Sequence, residues 1–235
     1  MPAEVRVVAD ADELGAALAD EVLARYDASE GAYLLGCPGG RSLRTTYRAL
    51  AGRGRTLDRL VVVMMDEYVG APPDAHYSCA RFAREEIAEP LGAAEAWLPE
   101  VDDPGAYDAR IAAAGGVDLF LLASGASDGH VAFVPPGGAR SGRTSVIALA
   151  ETTRRDNLVT FPEFDALDDV PLYGVSVGLG TIADARALRL VLHGEGKRAA
   201  VARLLALDGF DPSWPASIAH DHRDAQIWMD KRAAT

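Results

Sequence analysis

The chain has 235 residues, of which 49% are hydrophobic and 25% are charged, a composition typical of a globular protein with one full core. Its net charge of −12 argues against nucleic acid and anionic membranes as partners, because binding to either depends on clustered Lys and Arg. These figures do not exclude a small anionic ligand, since a few converging donors suffice to bind one.

Neither a membrane span nor a signal peptide is predicted. No apolar run approaches the roughly 20 residues that cross a bilayer, and the N-terminal MPAEVRVVAD lacks a basic segment followed by an apolar one. We therefore expect a cytoplasmic protein. Two cysteines, Cys37 and Cys79, form no CxxC pair, so we expect both to be reduced.

Short apolar runs alternate along the chain with segments of helical periodicity. Strands are predicted over 4–8, 32–36, 60–65, 117–122, 146–149, 174–177, 188–193 and 226–229, and helices over 11–26, 42–50, 82–87, 107–114, 182–186 and 195–207. Strands separated by helices form βαβ units, so we predict an α/β fold with a mainly parallel, Rossmann-like, doubly wound sheet and helices on both faces. No repeat or linker divides the chain, and we predict one domain over residues 1–235.

Three turns that follow predicted strands carry groups suited to chemistry. The first, GCPGGRSLRTT over 36–46, contains Gly39, Gly40, Arg41 and Ser42. Its glycines allow a ligand to approach the backbone, and its hydroxyl and amide groups can donate hydrogen bonds to an anion. The turn lacks the Gly-Lys-Ser/Thr of a Walker A loop and is not GxGxxG, so an ordinary strand-to-helix turn is the alternative.

The second and third turns carry acidic and histidine side chains. Asp66 and Glu67 directly follow an apolar strand, and because adjacent side chains diverge, only one should face a pocket. The third turn, ASGASDGH, ends in Asp128 and His130, where the aspartate can orient the histidine for proton transfer near neutral pH. The alternatives are an ordinary acidic loop and a capping aspartate beside a structural histidine.

A metal site is a competing interpretation of these acids and histidines, together with His220-Asp221-His222 near the C-terminus. The sequence contains neither an HExxH motif nor a grid of Cys and His at ligand spacing. We therefore predict no metal.

Together these segments resemble the glucosamine-6-phosphate deaminase (isomerase) family and, more distantly, the 6-phosphogluconolactonases. The resemblance covers nearly the whole chain and is carried by LGCPGGRSLRTTYRAL, VVMMDEYVGAPPDAHYS, GGVDLFLLASGASDGHVAF, GRTSVIALAETTRRDN and YGVSVGLGTIADARALRLVLHGEGKRAA. MDEYVG and VGLGTIADA are similar to the deaminase branch, whereas DGHxA is shared with the lactonases.

The resemblance implies a role for each motif. Asp66 would move a proton between C2 and C1 of an open-chain amino sugar, and His130, supported by Asp128, would assist opening of the sugar ring. Substrate binding falls on Glu67 and on a phosphate site formed by Gly39, Gly40, Arg41, Ser42 and Lys197. The implied ligand is a sugar or sugar phosphate, no cofactor is implied, and a homo-oligomer is an open expectation.

The chain departs from the family pattern at positions that matter for function. Pro135 stands where deaminases have the glutamate of Asn-Glu-Pro, which completes the ring-opening relay, and Val159 stands where they have a phosphate-binding arginine. Arg41, where the family commonly has a small residue, offers a replacement cation. Ser145 and Ile147 replace basic allosteric residues, so we expect no regulation of that type.

Two alternatives to a deaminase stay open. One is a sugar-lactone hydrolase in which His130 activates water, a reaction that does not need the glutamate replaced by Pro135. The other is a sugar-binding protein, or an enzyme with an unrelated substrate, in which the relay is partly dismantled.

Overall fold

Short apolar runs form most of the strands of the protein, whose computed structural model describes residues 3–235. The strands of this part of the chain are β1 (Glu4–Val8), β2 (Tyr33–Cys37), β3 (Leu60–Met64), β4 (Asp66–Tyr68), β5 (Glu95–Trp97), β6 (Leu119–Ala123), β7 (Ser145–Ala148), β8 (Tyr173–Ser176), β9 (Leu188–Leu192) and β10 (Ala225–Asp230). Seven of them form a wholly parallel sheet in the order β1-β10-β9-β6-β2-β3-β5.

Helices connect these strands and cover the large sheet. They are α1 (Ala11–Ala28), α2 (Arg44–Gly52), α3 (Cys79–Phe82), α4 (Glu89–Leu91), α5 (Pro104–Ala113), α6 (Glu151–Thr160), α7 (Leu179–Ala183), α8 (Arg198–Leu205) and α9 (Lys231–Ala234). A π-helical segment (Ala83–Ala88) joins α3 to α4, and 3-10 turns occupy Leu167–Asp169, Glu195–Lys197 and Pro215–Asp221. No helix within residues 3–235 is long and apolar enough to cross a membrane.

The core lies on both faces of the parallel sheet. Along β6, Leu119 and Leu121 belong to one hydrophobic cluster, whereas Phe120 and Leu122 belong to the other. Alternate side chains of a strand point to opposite faces, so a strand covered on both sides is apolar throughout. This arrangement agrees with the predicted doubly wound sheet. One domain over residues 1–235 stays a prediction.

The remaining three strands form a separate antiparallel sheet in the order β4-β8-β7. The sequence predicted β7 and β8 as strands but did not separate them from the parallel sheet. It missed β4, because three residues with two charges carry no strand pattern. It also missed β5 and α6; α6 has the sequence ETTRRDNLVT, in which no apolar stripe marks a helix.

The strand order creates a crevice at the carboxyl edge of the large sheet. From β2 the chain proceeds outward to β3 and β5, and it then returns to place β6 on the other side of β2. The connections after β2 and β6 therefore diverge, and ligands of open α/β sheets bind at such a point. Gly36 of β2 lets these strands pack closely, since a Cβ there would lie 1.7 Å from a ring carbon of Phe120.

Candidate active site

A cavity of about 550 Å³ opens at this crevice. Its walls come from the turn after β2, the start of β4, the turn after β6, one side of α6 and the loop that follows β9. The structure thus brings together seven of the predicted site residues at one cavity: Gly39, Gly40, Arg41, Ser42, Asp66, His130 and Lys197.

Asp66 lies at the buried side of the cavity with only 6% of its surface exposed. Burial raises the pKa of its carboxyl to about 7; a hydrogen bond from the Cys79 thiol opposes the rise, the charge of Glu67 adds to it, and His130 opposes it. The Cys79 Sγ lies 3.2 Å from Asp66 Oδ1. A carboxyl group with this pKa can both accept and return a proton near neutral pH.

Glu67 lies outside the cavity, although the sequence suggested it as a substrate-binding residue. Its carboxylate accepts hydrogen bonds from the Ser78 hydroxyl at 3.0 Å and from the amides of Cys79 and Ala80 at 3.1 and 2.8 Å. Strand alternation turns it away from Asp66, as expected for adjacent residues of β4. The geometry therefore gives Glu67 the role of holding the start of α3 and does not support contact with a substrate.

Asp128 and His130 form a hydrogen-bonded pair in which His130 faces the cavity and Asp128 lies behind it. The two side chains meet at 2.7 Å between Asp128 Oδ1 and His130 Nδ1, and the Thr152 hydroxyl donates to the other aspartate oxygen. Burial alone would raise the pKa of Asp128, but the bonds from His130 and Thr152 outweigh it and hold the pKa well below its usual range. An ionised Asp128 fixes the imidazole, and His130 itself lines the cavity.

Gly125 makes room for this pair. A Cβ at this position would lie 2.3 Å from His130 Nδ1 and 2.5 Å from Asp128 Oδ1, closer than any real contact. The Gly125 amide also donates to the His130 carbonyl at 2.8 Å. The absence of a side chain at Gly125 is therefore a steric requirement of the Asp–His pair.

Another region of the cavity wall, the cationic end, carries Arg41 and Lys197. Lys197 Nζ donates to the Ser124 carbonyl at 2.5 Å, and His193 Nε2 lies 3.1 Å from the Ser42 carbonyl. Burial lowers the pKa of Lys197; the charge of Asp156 opposes this, and Arg41 adds to it. Arg41, Lys197 and the glycine-rich turn give this part of the wall hydrogen-bond donors suited to an anion.

Asp156 is an acidic group on that same wall. It projects from α6 into the cavity, and within residues 3–235 its carboxylate makes no hydrogen bond or ion pair. Val159, the position of the family's phosphate-binding arginine, is 62% exposed and does not line the cavity. The cationic end therefore contains a negative charge, Asp156, that would repel an anion. It also lacks the arginine that the family pattern places at position 159.

Pro135 does not line the cavity either, and Ala132 and Phe133 form the wall beyond His130. Ala132 adopts a left-handed backbone conformation, with φ of 51°, which is uncommon for a residue other than glycine. No carboxylate takes the place of the missing glutamate beside His130, whose only acidic hydrogen-bond partner among the described residues is Asp128.

The sequence missed several cavity residues. An aromatic wall comes from Tyr68, Phe133 and Phe161, with Tyr68 ring centroids 4.9 Å from Phe133 and 6.5 Å from Phe161. Hydrophobic patterning does not distinguish such a wall from the core. His193 could have been predicted as a cavity residue, because it directly follows a buried parallel strand.

Within residues 3–235, no group of three His, Cys, Asp or Glu side chains is arranged to hold a metal ion. The two C-terminal histidines bond to the backbone instead: His220 Nε2 lies 3.0 Å from the Leu204 carbonyl, and His222 Nε2 lies 2.8 Å from that of Ala185. These contacts give both side chains a structural role.

The fold and cavity are typical of α/β enzymes, with a site lined by polar and charged side chains at the switch point of the sheet. The model of the glucosamine-6-phosphate isomerase/6-phosphogluconolactonase family matches residues 9–228. The chain belongs to this family, as its motifs predicted.

Individual relatives agree with this assignment. The glucosamine-6-phosphate deaminase of Rhodococcus jostii is 37% identical over 218 residues, covering 87% of this chain and 82% of that protein. The deaminase of Streptomyces avermitilis is 36% identical over 245 residues, covering 99% and 92%.

Solved structures show the same fold. A monomeric glucosamine-6-phosphate deaminase superposes with a TM-score of 0.90 at 27% identity, covering 98% of both chains. The 6-phosphogluconolactonase of Trypanosoma cruzi superposes with a TM-score of 0.72 at 18% identity, covering 99% of this chain and 96% of that one, and shares the fold alone. The predicted α/β fold class is confirmed.

Proposed function

We propose that this protein is a sugar-phosphate isomerase/deaminase that converts an amino-sugar 6-phosphate into a ketose 6-phosphate and ammonia. The observation that carries the proposal is the buried Asp66 carboxylate at the cavity wall, whose pKa of about 7 suits a base that must also act as an acid. The names of the Rhodococcus and Streptomyces relatives support the substrate class.

The reaction needs one proton to move between adjacent carbons. Ionised Asp66 takes the proton from C2 of the open-chain sugar while the C1 oxygen gains a proton that the C2 ammonium group gives up, which leaves an enolamine. The same carboxyl then returns its proton to C1. The product is an imine at C2, which water hydrolyses to a ketone with release of ammonia. A single carboxyl suffices because C1 and C2 are neighbours, and burial keeps its proton from bulk water.

Ring opening requires a second acid–base group, because the ring oxygen gains a proton while the hydroxyl on C1 loses one. His130 supplies it, with Asp128 holding the imidazole by the 2.7 Å bond to Nδ1. This leaves Nε2 as the nitrogen that exchanges a proton with the sugar. Without the family's glutamate at position 135, the relay ends at this histidine.

The 6-phosphate would bind at the cationic end. Arg41 and Lys197 supply charge, while Ser42 and the glycine-rich turn supply neutral donors. Asp156 opposes a dianion at the same wall, so we expect weaker phosphate binding than two cations alone would give.

Product analysis tests the proposal. Glucosamine 6-phosphate is expected to yield ammonia and ketose phosphate in equal amounts, and kcat/KM should fall as pH drops below about 7, where Asp66 becomes protonated. Asp66→Asn should lower kcat by about 10²- to 10⁴-fold. Asp20→Asn, on the exposed surface of α1 where it pairs with Arg53, is the matched control and should keep full activity.

A lactonase is the second candidate, favoured by the intact Asp128–His130 pair and by the absence of a glutamate at Pro135. Lactone hydrolysis requires His130 to activate water but requires no base at C2. Hydrolysis of a 6-phosphosugar lactone with no ammonia release, unaffected by Asp66→Asn, would replace the proposal with this one. The cytoplasmic location and the oligomeric state stay predictions.

A further inference from the structure

Cys79 lies directly against the carboxylate that the proposed reaction uses. Its Sγ is 3.2 Å from Asp66 Oδ1, only 5% of the residue is exposed, and it lines the cavity beneath the glycine-rich turn. A Cβ placed on Gly39 would lie 3.8 Å from this sulfur, in ordinary contact. The thiol thus contacts the base and lies close to the glycine-rich turn.

The position of this thiol is set by the residue next to Asp66. Glu67 accepts hydrogen bonds from the Cys79 and Ala80 amides and from the Ser78 hydroxyl, and Ser78 Oγ in turn accepts from the Arg81 amide. Glu67 therefore holds the first turn of α3 against β4. Glu67 and Asp66 point to opposite faces of β4. Glu67 binds the backbone amide of Cys79, and the Cys79 side chain contacts Asp66.

The chemistry of the pair gives the thiol the role of donor. A carboxylate with no proton can only accept, and a thiol donates only while it keeps its proton. Burial raises the pKa of Cys79 well above its ordinary value, and the charges of Asp66 and Glu67 raise it further. The S–H group therefore persists across the working pH range.

Only one oxygen of Asp66 is engaged by this contact. Oδ1 accepts from Cys79, whereas Oδ2 has no hydrogen-bond partner in the part of the chain that the structure describes. A carboxylate held by one oxygen presents the other in a defined direction, which a proton shuttle between two carbons requires.

We propose that Cys79 is a positioning residue whose S–H group holds Oδ1 of Asp66 and leaves Oδ2 to exchange the substrate proton. This inference rests on the proposed function, in which Asp66 is the base. The same hydrogen bond stabilises the ionised carboxylate and partly offsets the effect of its burial. Its loss should therefore move the pH at which the base ionises.

Three substitutions at this position separate hydrogen bonding from packing. Cys79→Val fills the space without a donor, Cys79→Ala opens it, and Cys79→Ser keeps a donor. In Val and Ala variants, the acid limb of kcat/KM should move upward by about half a pH unit to one unit. This makes kcat/KM roughly three- to tenfold lower below that limb, with a smaller loss above it. Cys79→Ser should restore the wild-type limb.

A direct measurement of the carboxyl complements the kinetics. Titration of the Asp66 ¹³C carboxyl signal, assigned by its absence in Asp66→Asn, should show a higher pKa in Cys79→Val than in wild type or Cys79→Ser. This readout needs folded protein but no turnover. Thermal unfolding of each variant identifies any that fails to fold, and the remaining variants then decide the matter.

The outcomes separate this inference from the proposed function. An Asp66→Asn variant with full deaminase turnover overturns the base role and, with it, the role of Cys79. An inactive Asp66→Asn together with an acid limb that is the same in wild type, Val and Ala variants overturns the Cys79 inference alone. A uniform loss of kcat at all pH values, not rescued by Cys79→Ser, indicates packing only and also overturns it.

Discussion

The two ends of the cavity differ in how completely their side chains are held. At the proton-transfer end, Asp66 is fixed by Cys79, and His130 is fixed by Asp128, which Thr152 fixes in turn. At the cationic end, Lys197 bonds to the Ser124 carbonyl, but the side chains of Arg41 and Asp156 make no hydrogen bond or ion pair among residues 3–235.

This difference indicates which part of the function is closely determined by the protein. Groups that transfer protons must be placed to within a fraction of an ångström, and their neighbours here hold them in place before a substrate arrives. Groups that bind an anion tolerate looser placement, because a charge acts over longer distances. We therefore expect the chemistry of the family at one end and an altered preference for the anion at the other.

We expect the largest effect from removing His130 at the proton-transfer end. His130→Gln should lower kcat for the cyclic substrate by about 10²- to 10⁴-fold, since the neighbouring Asp128 does not line the cavity and cannot replace the imidazole. Steady-state kinetics with purified protein measures the change. The matched control is His222→Gln, whose ring bonds to the Ala185 carbonyl, and which should keep the wild-type kcat. A His130→Gln variant with half of the wild-type kcat would show that the ordered end is not needed for ring opening.

Removing either cation tests the cationic end. Lys197→Met should raise KM for a 6-phosphate sugar by about 10- to 100-fold, the cost of one lost charge-assisted hydrogen bond. Arg41→Met should raise KM less, because its side chain is more exposed to water. Lys231→Met, on α9, removes the other lysine and is the control. If KM stays unchanged in both cavity variants, the phosphate does not bind there.

Neutralising the acid on the same wall should act in the opposite direction. Asp156→Asn is expected to lower KM for the phosphorylated sugar by about 3- to 10-fold, because it removes a repulsive charge at the predicted phosphate site. The KM for the unphosphorylated sugar should not improve. A higher KM for both ligands would instead show that Asp156 hydrogen-bonds the sugar itself.

The last expected effect concerns the dependence of stability on pH. The pKa of Asp66 is raised to about 7 by burial, whereas in the unfolded chain it is near 4. Its stabilising contribution is present below the unfolded value and is lost as pH rises through about 7. Relative to wild type, the Tm of Asp66→Asn should therefore rise between pH 4 and pH 8. If the difference in Tm between wild type and Asp66→Asn stays constant with pH, burial does not destabilise the ionised Asp66 carboxylate.

Much of the fold could be predicted from the sequence, and the site only in part. The parallel strands were predictable because apolar runs such as LFLLA are buried on both faces. Helix α6 was not, although it supplies Thr152 to the Asp128–His130 pair and Asp156 to the cavity wall. Its polar sequence has little periodicity, and its place in the fold comes from contacts with distant segments.

The sequence by itself determined the alternation of strands and helices, the turns after the strands and the family to which the chain belongs. These depend on local patterns and on motifs that can be read along the chain. Only the tertiary structure decided that Asp66 faces the cavity while Glu67 anchors α3. It also decided that Cys79 contacts Asp66 and that Asp156 lies close enough to Lys197 for their charges to interact. Each of these outcomes depends on burial and on contacts between side chains from separate parts of the chain. Local sequence patterns specify neither the burial nor the contacts.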